Sequence, residues 1–269
     1  KTKETTDYFA KVVFVTAATL NTNLILLNSK SNRFPNGLGN DNGLMGKYIA
    51  FHNYRATINA QCEGFPDKTI EGAKPTSHYV PRFRNIHKQE TDFLRGYAAG
   101  FGASPARETD LRGFGATLKK QLLETKETGV WNVNSHMMGE TIPKESNQVT
   151  LDKEKVDSWG IPLLNINVDY DENDEKMIQD FFEQFTEMFK KAGFVNIKTN
   201  DNKRMPGNDI HEMGGVRMGK DPKTSLLNSW NQLHECKNVF VTDGACMTST
   251  STQNPSLTFM AITARAANY

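Results

Sequence analysis

Asn238-Val239-Phe240-Val241-Thr242-Asp243-Gly244-Ala245 decides the fold class. A β-branched and aromatic run closing on Asp-Gly predicts a buried strand that delivers Asp243 and Gly244 to its carboxyl end. In open α/β sheets that end is where ligands bind, and Gly244 admits close backbone approach. Further along, Thr252-Gln253-Asn254-Pro255-Ser256-Leu257-Thr258 leads into the Ala-rich Phe259–Asn268, which predicts a helix. Asn254 suits its N-cap and Pro255 its first helical position. The free N–H groups of such a helix start can hold an anion or an electron-rich carbonyl. Near the other end, Lys11–Val15 predicts a second buried strand, and small residues at 16–22 lead to a helix face over Asn23–Ser29. Strand, small turn and helix form a common α/β unit.

Between these ends the pattern changes. Tyr48–Cys62 alternates, Tyr79–Phe83 and Phe93–Phe101 are short and apolar, and Val130–Met137, Gln148–Leu151 and Leu163–Val168 read as strands. Together they predict a twisted, mostly antiparallel sheet over about residues 50–170. Met177, Ile178, Phe181, Phe182, Phe185, Met188, Phe189 and Ala192 keep the spacing of one apolar helical stripe, predicting a helix from Glu172 to Ala192 that packs on the sheet. Asp171, Glu172, Asp174 and Glu175 at its start and Lys190 and Lys191 at its end suit the helix dipole. Phe194–Ile197 adds one more short strand. The class is therefore α+β with an α/β part.

The 269 residues correspond to one or two domains at about 150 residues each. Hydrophobic residues at 37% against 23% charged support a packed core rather than disorder. Thirty-two Lys+Arg against 31 Asp+Glu leave no field that would recruit nucleic acid or an acidic membrane. No apolar run approaches the roughly 18–20 residues of a membrane span, and Val12–Leu27 is broken by Asn21, Thr22 and Asn23. Cys62, Cys236 and Cys246 are dispersed and odd in number, which predicts neither a disulfide scaffold nor a metal site. The chain opens on Lys1 and stops at Tyr269 just beyond a predicted helix, so it reads as cut from something longer. Its ends carry no address, leaving cytoplasm or periplasm open. The glycines of Ser31–Gly46 follow a helix rather than a strand and read as an ordinary loop, not a dinucleotide turn.

The segment His211-Glu212-Met213-Gly214-Gly215-Val216-Arg217-Met218-Gly219 holds the residue types for proton transfer. An imidazole near pH 6.5 accepts a proton at neutral pH, and the Gly-Gly pair lets backbone and ligand approach. Asn254 can donate or accept beside it without titrating. The bland readings stand next to these. His211 can be an ordinary core or surface histidine, Asn254 a plain helix cap and Asp243-Gly244 a turn. Glu212 and Arg217 can be solvated charge.

Three motifs in this order and spacing resemble the carboxyl-terminal part of the glucose–methanol–choline (GMC) flavin oxidoreductases. They are His211-x-x-Gly214-Gly215-Val216-Arg217-Met218-Gly219-x-Asp221-Pro222, Asn238–Gly244, and Asn254-Pro255-Ser256-Leu257-Thr258 with Ala264–Ala267. A looser likeness covers 10–50, where Ala17-Ala18-Thr19 and Thr22-Asn23 stand at the family's usual Ala-Ala-Gly and Thr-Pro. The resemblance implies an FAD enzyme that oxidises an alcohol or sugar CH–OH group. His211 would be the base, taking the hydroxyl proton while hydride leaves to the flavin. Asn254, at a position where the family carries His or Asn, would orient the hydroxyl. Asp243, Gly244 and Ala245 would approach the FAD ribityl–pyrophosphate, and Asn254, Pro255, Ser256 and Thr258 would lie against the isoalloxazine. Residues 1–48 and 205–269 would be the carboxyl-terminal part of the FAD-binding domain, and 49–204 the substrate domain.

The family's amino-terminal nucleotide-binding turn is not in this sequence. The resemblance therefore implies an amino-terminal FAD-binding segment as partner, and a chain that alone binds FAD weakly or not at all and is inactive. Two other readings are weighed. One is a non-catalytic carbohydrate-binding or interaction module with an enzyme-like tail, for which His211 and Asn254 have no use. The other is a nicotinamide enzyme, disfavoured without a strand-led Gly-x-Gly-x-x-Gly.

Overall fold

The computed structural model describes residues 2, 4–65, 78–108, 113–123, 126–207 and 210–269. In chain order the elements are β1 (Val13–Val15), α1 (Thr19–Asn28), β2 (His52–Asn53), β3 (Ala56–Cys62), β4 (His78–Val80), β5 (Tyr97–Glu108), α2 (Ala116–Leu123), β6 (Lys126–Glu140), β7 (Gln148–Val156), β8 (Pro162–Asn167), α3 (Glu172–Lys191), β9 (Val195–Asp201), β10 (Val239–Val241) and α4 (Ser256–Ala267), with a 3-10 turn at Gly244–Cys246. The class is mixed α/β with mostly antiparallel pairing. Two compact units emerge: unit 1 comprises 1–52, 140–171 and 205–269, and unit 2 comprises 53–139 and 172–204.

Unit 2 is an antiparallel sheet in the order β4-β5-β6-β3-β9, with α3 across one face. The register explains the core. Ile58 stands opposite Ser135, and Phe101 opposite Ser135 on its other side, so Ala56, Ile58, Ala60, Tyr97, Ala99, Val133 and Met137 share one face. Against it the α3 stripe buries Met177, Ile178, Phe181, Phe185 and Phe189. The Phe181 and Phe185 rings, tilted at 32° with centroids 4.4 Å apart, use the i, i+4 spacing of the helix. Arg55, at the head of β3, bonds both Asp201 and Glu175 and ties the start of α3 to β9.

Unit 1 contains the parallel pair β1–β10, with Val13 opposite Val239 and Val15 opposite Val241. Leu26, Leu27, Val216, Leu226, Leu227, Leu233, Val239 and Val241 form its core. The hairpin β7–β8 is a separate two-stranded sheet in this unit. The sequence reading had placed it in the antiparallel sheet and within 49–204. Alternation reports a half-exposed strand but not which sheet it joins. Val149 packs instead with Ile49, Phe51, Leu164 and Val168. Strand structure over 48–62 is also shorter than the alternation predicts, being confined to β2 and β3, and Tyr48 at the start of the run adopts φ 60. No helix among the described residues is long and apolar enough to cross a membrane.

Candidate active site

Both strands of the parallel pair deliver their carboxyl ends to the same edge of unit 1. β1 leads through Ala17-Ala18 into α1, and β10 leads through Thr242-Asp243 into the 3-10 turn. Side chains lock these two exits together. The Ala245 amide donates to Asp243 Oδ1 at 2.9 Å, and the Thr22 hydroxyl donates to Asp243 Oδ2. Burial raises the Asp243 pKa above the usual carboxylate value, and the bonds from Thr22 and Ala245 oppose that rise. Asp243, Gly244 and Ala245 are all buried. The carboxylate is therefore committed to the protein's own backbone and to α1.

The 211–218 segment runs beside this turn. The Gly214, Val216 and Met218 amides donate to the Gly244, Ala245 and Cys246 carbonyls at 2.9–3.0 Å. Gly244 is required here: a Cβ would come within 2.3 Å of the Thr19 hydroxyl and 2.7 Å of the Glu212 carbonyl. Gly215, at φ +86, leaves no room either, since a Cβ would stand 2.2 Å from Asn23 Oδ1. The Gly-Gly pair was expected to admit a ligand. What it admits is the protein itself, the side chain of Asn23 and the backbone of Tyr48.

On its other side the segment pairs with residues 49–52. Ala50 and Met213 exchange both hydrogen bonds of an antiparallel pair, at 2.9 and 2.8 Å. Two residues out from that pair, on the same face, His52 stands opposite His211. Their ring centroids are 5.0 Å apart at 86°, and the two Nδ1 atoms are 3.0 Å apart. His52 Nε2 donates to the Ser251 carbonyl at 3.0 Å. His52 is fully buried; burial first, then the neighbouring His211, lowers its pKa to about 4. Burial lowers the pKa of the half-buried His211 as well. Both rings are thus neutral at neutral pH. His211 also takes φ 67, the left-handed region that costs a non-glycine residue energy and that concentrates at working sites.

Asn254 lies three residues beyond Ser251, so at most about 11 Å of extended chain separates the two. No hydrogen bond joins Asn254 to His211 among the described residues. Asn254 is exposed and does not cap α4. The first helical bond runs from the Phe259 amide to the Pro255 carbonyl, which makes Pro255 the cap position and leaves Asn254 one residue outside. The expected assignment, Asn254 as cap and Pro255 as first helical residue, is corrected by one position. Its carboxamide is therefore not consumed by the helix. The start of this 12-residue helix has no side-chain cap and no acidic residue in its first turn, while Ser256 and Thr258 are exposed. Its orphan N–H groups form a donor cluster with positive helix-end character.

His52 was not singled out by sequence reasoning. It lies in an alternating run that reads simply as strand, and only the pairing of Ala50 with Met213 brings it to His211. The loop that supplies the Ser251 carbonyl is anchored by Ser249, whose hydroxyl donates to the buried Glu140.

Residues 143–263 match the family model described as GMC oxidoreductase, and the chain corresponds to a carboxyl-terminal portion of such proteins. It is 33% identical to the 2-methyl-1,2-propanediol dehydrogenase of Mycolicibacterium austroafricanum, over 97% of this chain and 48% of that protein. It is 26% identical to the fructose dehydrogenase large subunit of Gluconobacter japonicus, over 99% and 48%. The chain spans about half the length of the curated relatives it matches. Among solved structures, pyridoxine 4-oxidase from Mesorbium loti superposes with a TM-score of 0.58 at 16% identity, covering 97% of this chain and 52% of that one. A formate oxidase of Aspergillus oryzae RIB40, studied for FAD modification, gives 0.61 at 13% identity over 96% and 53%. These likenesses show the fold.

Proposed function

We propose that this chain is the part of an FAD-dependent oxidoreductase that holds the base for oxidising a CH–OH group. The observation that carries the reading is His211: a strained, half-buried imidazole, neutral at neutral pH, fixed on the loop that packs against the exits of the parallel strands. Its role is to take the hydroxyl proton of an alcohol as the carbinol hydrogen departs with its electron pair. Asn254, exposed beside the start of α4, is assigned to hold the alcohol oxygen in line. Substrate selection is assigned to unit 2. The substrate is a small polyol or a sugar, the class named in two relatives, a propanediol dehydrogenase and a fructose dehydrogenase.

The residues fit FAD. The uncapped, acid-free start of α4, with Asn254, Pro255, Ser256 and Thr258, suits an electron-rich ring carbonyl. Asp243, Gly244 and Ala245 shape the carboxyl edge of the strands from within. When bound, FAD supplies the two-electron acceptor for hydride. The nucleotide end of the cofactor is assigned to an amino-terminal segment. The β1–β10 sheet favours this, because two parallel strands of three residues do not stand alone. Phe14 on β1 is 39% exposed, and Leu257 and Met260 on α4 are 77% and 67% exposed, awaiting cover.

The test is anaerobic reduction of the flavin by polyols and sugars in the complete protein that carries this chain. His211→Ala is expected to slow reduction by about 100-fold or more. An unchanged rate with every donor that reduces the wild type would end the reading.

A further inference from the structure

We propose that His52 is the positioning residue of the base: it fixes the proton of His211 on Nδ1, leaving the lone pair on Nε2 for the substrate. This rests on the reading of His211 as base. Three groups in a chain, the Ser251 carbonyl, His52 and His211, fix where each proton sits. The Ser251 carbonyl has only lone pairs to offer, so the His52 Nε2 that faces it at 3.0 Å must carry hydrogen. A neutral imidazole has one N–H, so the Nδ1 of His52 is a bare acceptor. The Nδ1 of His211, 3.0 Å from it, must therefore be the donor. That leaves His211 with its basic nitrogen at Nε2, on the edge of the ring away from His52. Which nitrogen of a histidine is basic is set by the bond the other one makes.

Three features hold the relay in place. His52 is wholly buried, so water does not compete for its Nδ1. The exchange of hydrogen bonds between Ala50 and Met213 sets the two rings opposite each other. The loop bearing Ser251 is tied down by Ser249 on Glu140. Nothing in the proposed oxidation requires His52 to touch the alcohol. It acts through His211 alone.

The experiment uses the complete protein labelled with 15N-histidine, compared as wild type, His52→Asn and His52→Phe. Two-bond 1H–15N correlation spectra at neutral pH are expected to show His211 with a protonated Nδ1 and a bare Nε2 in the wild type. His52→Asn, whose carboxamide oxygen can accept from His211, keeps that pattern. His52→Phe loses it, and the rate of flavin reduction falls about 10- to 100-fold with KM for the alcohol nearly unchanged. Wild-type His211 protonated on Nε2 overturns the proposal, and does so even if His52→Phe does not fold. An unchanged spectrum and rate in His52→Phe overturns it equally. Because the spectrum is read without turnover, the result separates from His211→Ala: full activity there would sink the base reading, while the tautomer would still be reported.

Discussion

The Thr22 hydroxyl donates to the Asp243 carboxylate across a separation of 221 residues. It joins the first helix of unit 1 to the turn after its last strand. Removing it with Thr22→Val leaves a buried carboxylate short of a donor, at a cost of about 1–3 kcal/mol. The sign of the pH dependence follows. Burial already raises the folded-state pKa of Asp243, so this group favours the folded state at low pH and loses that contribution as pH rises through the folded value. Thr22→Val raises the value further. Urea unfolding should show a larger loss at pH 8 than at pH 4, and equal losses would contradict this account.

His52 has the opposite dependence from most buried carboxylates' partners. Its pKa is about 4 when folded, against an ordinary value of 6.5. Between those values the unfolded chain binds the proton that the folded one refuses. The contribution of His52 to the stability of unit 1 is therefore complete above about pH 6.5 and declines as pH falls toward 4, by an amount on the order of 3 kcal/mol. His52→Asn removes the titrating group and should flatten this part of the profile. A profile of undiminished slope in the variant would rule His52 out as its source.

Arg55 is enclosed between Asp201 and Glu175, with its side chain 7% exposed. Burial would raise the Asp201 pKa, but the bonds from Arg55 and Lys203 outweigh it and hold the group at about 2. That stabilisation is present above the ordinary carboxylate pKa and is lost as pH falls toward 2. Arg55→Met leaves Asp201 with Lys203 alone and should cost unit 2 about 1–3 kcal/mol, seen in chemical unfolding at neutral pH. Arg55→Lys recovers only part of this, because an ammonium does not reproduce the planar fork.

Ala18 adopts φ 68 and ψ 154, a conformation that only glycine occupies comfortably. Ala18→Gly should therefore raise the stability of unit 1 by about 1 kcal/mol, measured as a higher urea midpoint. A lower midpoint would mean that the methyl group packs usefully enough to outweigh the strain.

Legibility divided along the line between local and long-range information. The α3 helix could be read because its stripe, acidic start and basic end all lie within one element. The β10 strand and the α4 helix were readable for the same reason, although the cap slipped by one residue because a proline carbonyl took the first bond. Gly100 and Gly102 sit inside β5 and weaken its strand signal, so its full extent emerges only from pairing with β6. His211 and Asn254 stood out through their motifs. His52 did not, because nothing local distinguishes a histidine in a strand from a histidine set against another ring. Its partner was chosen by the pairing of residue 50 with residue 213, which no window of sequence contains.

The parallel pairing of Val13 with Val239 also governs how this polypeptide matures. Val13 leaves the ribosome more than 200 residues ahead of Val239, and contacts so distant in sequence close slowly. Until then the backbone edge of β1 is an adhesive stretch with no mate. Closure of the parallel pair accordingly waits for Val239–Val241 to be made, and the hazard to the nascent chain lies in the interval before it.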